Sequence, residues 1–171
     1  MITPFDEVLT ARRPRSTLAA QSELFAPLIG SWSLRYVRLD PDGSATETAA
    51  EWHFTWALDG RAVTDVWINP SRATRGPDSD GEWGMSVRFY DPALGAWRST
   101  WHGPASGQVM PFVARACAEG IAIEGGRYDE RTSVRCVFFA ITPDSFRWRA
   151  EVTDAAGVLA IRQRIEATRM G

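Results

Sequence analysis

Cysteine and histidine are scarce: the 171 residues contain two of each, and neither pair is spaced as a metal or redox motif. Cys117 and Cys136 sit in candidate strands and read as buried free thiols, which behave as small hydrophobes in a reducing compartment. His53 and His102 have no carboxylate cluster or cysteine spacing beside them, so no metal ligand set is specified. An excess of one charge is also missing. With 19 basic and 21 acidic side chains the net charge is -2, which offers no field to a nucleic acid or an anionic membrane surface.

Long hydrophobic runs are absent too. Stretches such as Val137 to Ile141 fall far short of the ~20 residues that a spanning helix needs. The amino-terminal MITPFDEVLTARRPR carries acids early and has no apolar signal core. There is no P-loop, Rossmann glycine pattern or G-x-S-x-G elbow, and EGIAIEGG reads as a hairpin because no helix follows it. These absences predict a cytoplasmic protein with no cofactor and with neither nucleic acid nor membrane as partner.

Aromatic residues are plentiful. Eight tryptophans bring large rigid surfaces, each with one N–H that needs a partner when buried. They can fill a core or line a cavity.

The chain divides by pattern into an arm over 1–26 and a single domain over 27–171. In the arm, FDEVL is followed by STLAAQSELF, where Ser16 is a candidate N-cap, Leu18, Leu24 and Phe25 recur at helical spacing, and Pro27 stops the run. A loose arm with one short helix is expected, with ARRPR as a solvated linker. Beyond Ile29 the period changes to two, and turn signals such as Asp40-Pro41-Asp42-Gly43, Leu58-Asp59-Gly60-Arg61 and Asp91-Pro92-Ala93-Leu94-Gly95 recur about every ten residues. Strands are expected near 29–39, 45–57, 61–69, 83–91, 96–102, 108–117, 120–128, 131–142, 145–153 and 157–168, with a long loop over Ser71 to Gly81. Some ten hairpin-linked strands curl and close, because closure removes exposed edges. The fold class is therefore all-β, an up-and-down antiparallel barrel.

The entry into the first strand, PLIGSWSLRY, places Gly30-Ser31-Trp32 where lipocalins and the wider calycins carry a Gly-X-Trp. The chain resembles that superfamily, and EWHFTWALDGRAVTDVW and VRFYDPALGAW look like segments of bacterial lipocalin-like domains. The strand count is similar to that of nitrobindin-type and fatty-acid-binding barrels. The resemblance implies that Trp32 packs across the barrel floor with an arginine of the last strand, Arg162, Arg164 or Arg169, near its ring. It does not carry over a haem, since no histidine lies near the C-terminus.

Strand parity selects the inner face. Trp32, Leu34 and Tyr36 should point inward, with Trp52, Phe54 and Trp56, then Trp97, Ser99 and Trp101, then Phe146, Trp148, Ala150 and Val152. The same reasoning assigns Met85, Val87 and Phe89 inward from the strand near 83–91, and Leu159, Ile161, Gln163 and Ile165 from the last. It leaves Arg88, Arg147 and Arg149 facing solvent. The 61–69 strand is ambiguous, because Val63, Asp65 and Trp67 and the alternative Ala62, Thr64, Val66 and Ile68 are both apolar.

On this phase Trp52, Trp56, Trp67, Trp97, Trp101 and Trp148 line a cavity with Asn69, Ser99 and Gln163 as ligand-binding polar groups, the arrangement of a small-molecule pocket. Asp65, Tyr36 and His102 are the candidate proton-transfer residues. For Asp65 the alternative is a carboxylate tied to an indole N–H or an arginine inside the core. Three functions follow. The first is binding of a small hydrophobic or aromatic molecule. The second is a cyclase, isomerase or hydratase in the same cavity, and the third is a structural subunit with a filled core, for which a homodimer through an outer face would be the sign.

Overall fold

The computed structural model describes residues 3–77 and 79–171, so the expectations that touch Met1, Ile2 and Asp78 lie partly outside the described residues. The arm holds more structure than expected. Helix α1 (Pro4–Leu9) starts at a capping box in which Thr3 and Asp6 satisfy one another's backbone N–H. Strand β1 (Thr10–Ala11) pairs with Ala57 and Trp56, which ties the arm to the barrel. Ser16 is not an N-cap: it opens a 3-10 turn, Ser16–Leu18, that leads into α2 (Ala19–Ser22) and a second 3-10 turn, Ala26–Leu28. Phe25 and Leu28 are both fully buried, and bending the chain beneath the barrel to bury them prevents one continuous helix.

The barrel strands are β2 (Gly30–Leu39), β3 (Ala45–Ala57), β4 (Ala62–Asn69), β5 (Glu82–Asp91), β6 (Ala96–Gly103), β7 (Gln108–Cys117), β8 (Gly120–Arg127), β9 (Ser133–Phe139), β10 (Ser145–Thr153) and β11 (Leu159–Arg169). Each pairs antiparallel with the next, and β11 returns to β2, so the ring of ten closes as expected from the hairpin pattern. β9 ends sooner than the sequence suggested because Ala140 takes a positive φ of 49° and turns the chain away. The loop after β4 lies against β3, where the Ser71 N–H donates to the Ala49 carbonyl at 2.7 Å.

One end of the barrel, that of the turns after β3, β5, β7 and β9, is closed by the arm, whose Arg15 N–H donates to the Gly60 carbonyl at 3.0 Å and whose Phe25 packs on Trp97. There Trp32 is fully buried, its indole N–H donating to the Leu28 carbonyl at 2.7 Å. The last-strand arginine is Arg169, whose guanidinium lies 4.1 Å from the Trp32 ring centroid and donates to the carbonyls of Ile29 and Pro27 at 2.9 and 3.0 Å. Gly30, at φ 130°, is the residue this floor requires, since a Cβ there would collide with Arg169 Nη1.

Two parity assignments are overturned. On β5 the inner residues are Ser86 and Arg88, 4% and 3% exposed, while Met85 and Phe89 stand outside at 37% and 48%. On β11 a bulge at Arg162 puts Gln163 opposite Ala150 but Ile161 opposite Glu151, which reverses the faces beyond it. Leu159 is therefore exposed. On β4 both faces are buried, which explains its ambiguity in sequence.

Candidate functional site

Above the floor lies a cavity of about 440 Å³ that extends toward the end formed by the turns after β2, β4, β6, β8 and β10. Its walls are aromatic. Trp32, Trp52, Trp67 and Gly84 are successive cross-strand partners on β2 to β5, which sets three indoles side by side and then leaves a gap. The ring of Trp101, from β6, covers the bare backbone of Gly84, where any Cβ would strike the indole. Trp52 stands perpendicular to Trp67 at 5.2 Å and edge-on to Trp148 at 5.9 Å, and it tilts against Phe138 at 5.2 Å.

The structure divides the six tryptophans. Trp52, Trp67, Trp101 and Trp148 line the cavity. Trp56 and Trp97 belong to the core of the closed end, where Trp97 meets Phe25 edge-on at 5.2 Å. Asn69, Ser99 and Gln163 lie on the cavity wall, as does Tyr36, whose phenol burial pushes up to about 12. His102 is exposed on the outer face of β6, away from the cavity. Among the described residues no three His, Cys, Asp or Glu side chains gather as a metal site.

Asp65 lies behind the wall rather than on it. Its Oδ1 accepts from the Trp52 indole N–H at 2.8 Å, and its Oδ2 pairs with Arg88 Nη1. Both partners of that ion pair are buried, and the guanidinium also sits over the rings of Phe25 and Phe54, at 5.4 and 5.9 Å from their centroids. Arg88 itself lines the cavity, against the expectation that it faces solvent. The polarity of β5 is inverted because Asp65, fixed inward between Val63 and Trp67, needs a cation, and only the Ser86 and Arg88 face can supply one.

Ser86, Gln108 and Tyr128 line the cavity without having been singled out in the sequence, and Arg88 and Cys136 were singled out but not as lining groups. Both cysteines are free, and burial pushes the Cys136 thiol up to about 12, which keeps it protonated. A signal for Arg88 was available in the buried carboxylate two positions before Trp67, which calls for a basic partner on an adjoining strand.

A second cluster lies on the outer face of β2 and β3. Glu51, 5% exposed, accepts from the backbone N–H of Arg72 at 2.6 Å and from its Nε and Nη2 at 2.9 and 2.6 Å. His53 joins it, with Nε2 3.1 Å from Glu51 and Nδ1 2.9 Å from the Ser31 hydroxyl. Far from being an isolated surface residue, His53 is part of the network that fastens the 71–81 loop to β3. The hydrogen bond from Arg72 holds the Glu51 carboxyl down at about 2 against the opposing effect of burial.

The chain is a closed ten-stranded antiparallel barrel, floored by Gly30-Ser31-Trp32 and Arg169 and hollow above them, a calycin-like fold. Two solved structures share this fold. Rv2717c from M. tuberculosis is 15% identical with a TM-score of 0.58, the match covering 92% of this chain and 99% of that one. The S-type phycobiliprotein lyase CPES from Guillardia theta is 11% identical with a TM-score of 0.58, over 88% of this chain and 93% of that one. A scan against models of protein families finds no match, and neither does a search of curated proteins.

Proposed function

We propose that the protein binds a small hydrophobic or aromatic molecule inside the barrel. The observation that carries this reading is the cavity of about 440 Å³ walled by Trp52, Trp67, Trp101 and Trp148 with a few polar groups set among them. A structural subunit with a filled core has no use for that space. Asp65, with both oxygens engaged, and Tyr36, with its raised phenol, support positioning roles over proton transfer. The two free thiols support a cytoplasmic setting. The outer face of β5 to β7, where Met85, Phe89 and Val109 are exposed, is where a second copy of the chain would sit in a homodimer.

Native mass spectrometry of the protein purified from its own host tests the reading and gives the stoichiometry in one measurement. The expected result is a non-covalent mass above the 19.0 kDa chain. Calorimetric titration with 2-isopropenylnaphthalene and 2-acetonaphthone covers the case of a ligand lost in purification. Saturable binding of one probe per chain is then expected, and a bare chain in the spectrum together with failure of both probes overturns the proposal.

A further inference from the structure

Arg88 is placed where a ligand's leading end would arrive, deep in the cavity and directly above Phe25. A guanidinium carries five N–H donors and accepts nothing. Here one Nη1 donor is engaged by Asp65, and Nε is sealed in without any acceptor among the described residues. Among the described residues Nη2 makes no hydrogen bond and, unlike Nε, is not sealed, so it is the part of the group that cavity contents can reach. Ser99 is the cross-strand partner of Arg88, and Ser86 is the partner of both Asp65 and Trp101. Both serines line the cavity; neither hydroxyl takes part in a hydrogen bond among the described residues, and neither is sealed as Nε is. Arg88 Nη2 and the two hydroxyls thus stand at neighbouring positions of β5 and β6 on the cavity wall, each able to donate.

The charge of a group that these donors can receive follows from Asp65. That carboxylate already balances Arg88, so a second anion at this depth would leave an uncompensated negative charge among tryptophan and phenylalanine rings. Arg38, the other cation on the wall, lies at the open end and is paired with Asp40. All 19 basic residues are arginines, so no lysine amine is present to trap a carbonyl as an imine. From these contacts we infer that the ligand carries an uncharged hydrogen-bond acceptor, a ketone, aldehyde or amide carbonyl, at the end that enters first. Arg88 Nη2 and the Ser99 hydroxyl receive it, while its aromatic body lies between Trp52, Trp67, Trp101 and Trp148. This rests on the cavity being a binding site, and names the chemistry that the site selects.

The test compares three probes of nearly one shape by calorimetry on the intact protein: 2-acetonaphthone, 2-isopropenylnaphthalene, in which a methylene replaces the carbonyl oxygen, and 2-naphthoate. The expected order is ketone over hydrocarbon by about tenfold or more, because the hydrocarbon leaves the donors unpaired, with naphthoate weaker than the ketone. Ser99→Ala should reduce the preference for ketone over hydrocarbon several-fold. The carbonyl stretch of the bound ketone should shift to lower frequency than in hydrocarbon solvent. Equal binding of ketone and hydrocarbon, or naphthoate binding tighter than the ketone, overturns the inference while leaving the binding site intact. Failure of all three overturns the inference, and together with a bare chain in the spectrum it overturns the site itself.

Discussion

Asp65 and Arg88 form an ion pair inside the barrel with side chains only 0% and 3% exposed, one from β4 and the other from β5. Such a pair contributes little net stability against an apolar pair of the same volume, yet losing one partner strands the other charge in a medium that cannot solvate it. Asp65→Ala should therefore cost about 3–5 kcal/mol. The Asp65→Leu, Arg88→Met double variant should return to within about 1–2 kcal/mol of the parent, since no charge is left to strand. Urea unfolding of the three proteins measures this. A double variant no more stable than Asp65→Ala would mean that the cost does not come from a stranded charge.

The floor gives a second coupled pair. Gly30→Ala introduces a Cβ where Arg169 Nη1 lies, at a φ that L-residues rarely adopt. A loss of about 2 kcal/mol or more is expected from the strained backbone and the displaced guanidinium together. Arg169→Ala alone loses the contact with Trp32 and the bonds to the Ile29 and Pro27 carbonyls, at about 1–3 kcal/mol. In the Arg169→Ala background the Gly30→Ala change should cost measurably less, because only the backbone strain remains. A thermal-melt cycle of four proteins reads that difference.

Much of this architecture was legible in the sequence. Period-two alternation broken by Gly-containing turns specified ten strands, because both are local backbone demands, and the resemblance of Gly30-Ser31-Trp32 to the calycin Gly-X-Trp implied the floor. The inner face of β5 was not legible. Met85, Val87 and Phe89 outrank Gly84, Ser86 and Arg88 on any apolar scale, and only the requirement of Asp65 on the adjoining strand reverses the choice. The bulge at Arg162 was hidden for a related reason: an extra residue leaves composition unchanged while reversing parity. The split among the tryptophans depends on distance from the floor, which alternation does not encode.

That split is itself testable. Trp97→Phe and Trp56→Phe remove ring area from the closed end and should lower stability by about 1–3 kcal/mol with affinity for 2-acetonaphthone little changed. Trp148→Phe and Trp101→Phe change the cavity wall and should alter affinity several-fold with smaller effects on the melt. Gly84→Ala belongs with the second group: its methyl drives the Trp101 indole off β5 and into the cavity, so binding should weaken about tenfold or more. Calorimetry and melting curves on the same samples separate the two groups, and a Trp97 variant that abolished binding would contradict the assignment.

Acid should loosen the outer network at Glu51 before it reaches the core. The Arg72 hydrogen bond holds this carboxyl at about 2, against an ordinary 4.5 in the unfolded chain. A depressed folded-state value means that the unfolded state takes up the proton first, so the stabilisation is complete above pH 4.5 and declines as pH falls toward 2. Arg72 is more than half exposed, which limits the contribution to about 1–2 kcal/mol through solvent screening. At pH 6 the parent should be more stable than Glu51→Gln by that amount, and the gap should close progressively between pH 4.5 and pH 2. Because Glu51 anchors the 71–81 loop, amide exchange at Arg72 should quicken over the same interval. A gap independent of pH would show that the glutamate acts there through its shape and neutral hydrogen bonds, with its charge contributing nothing.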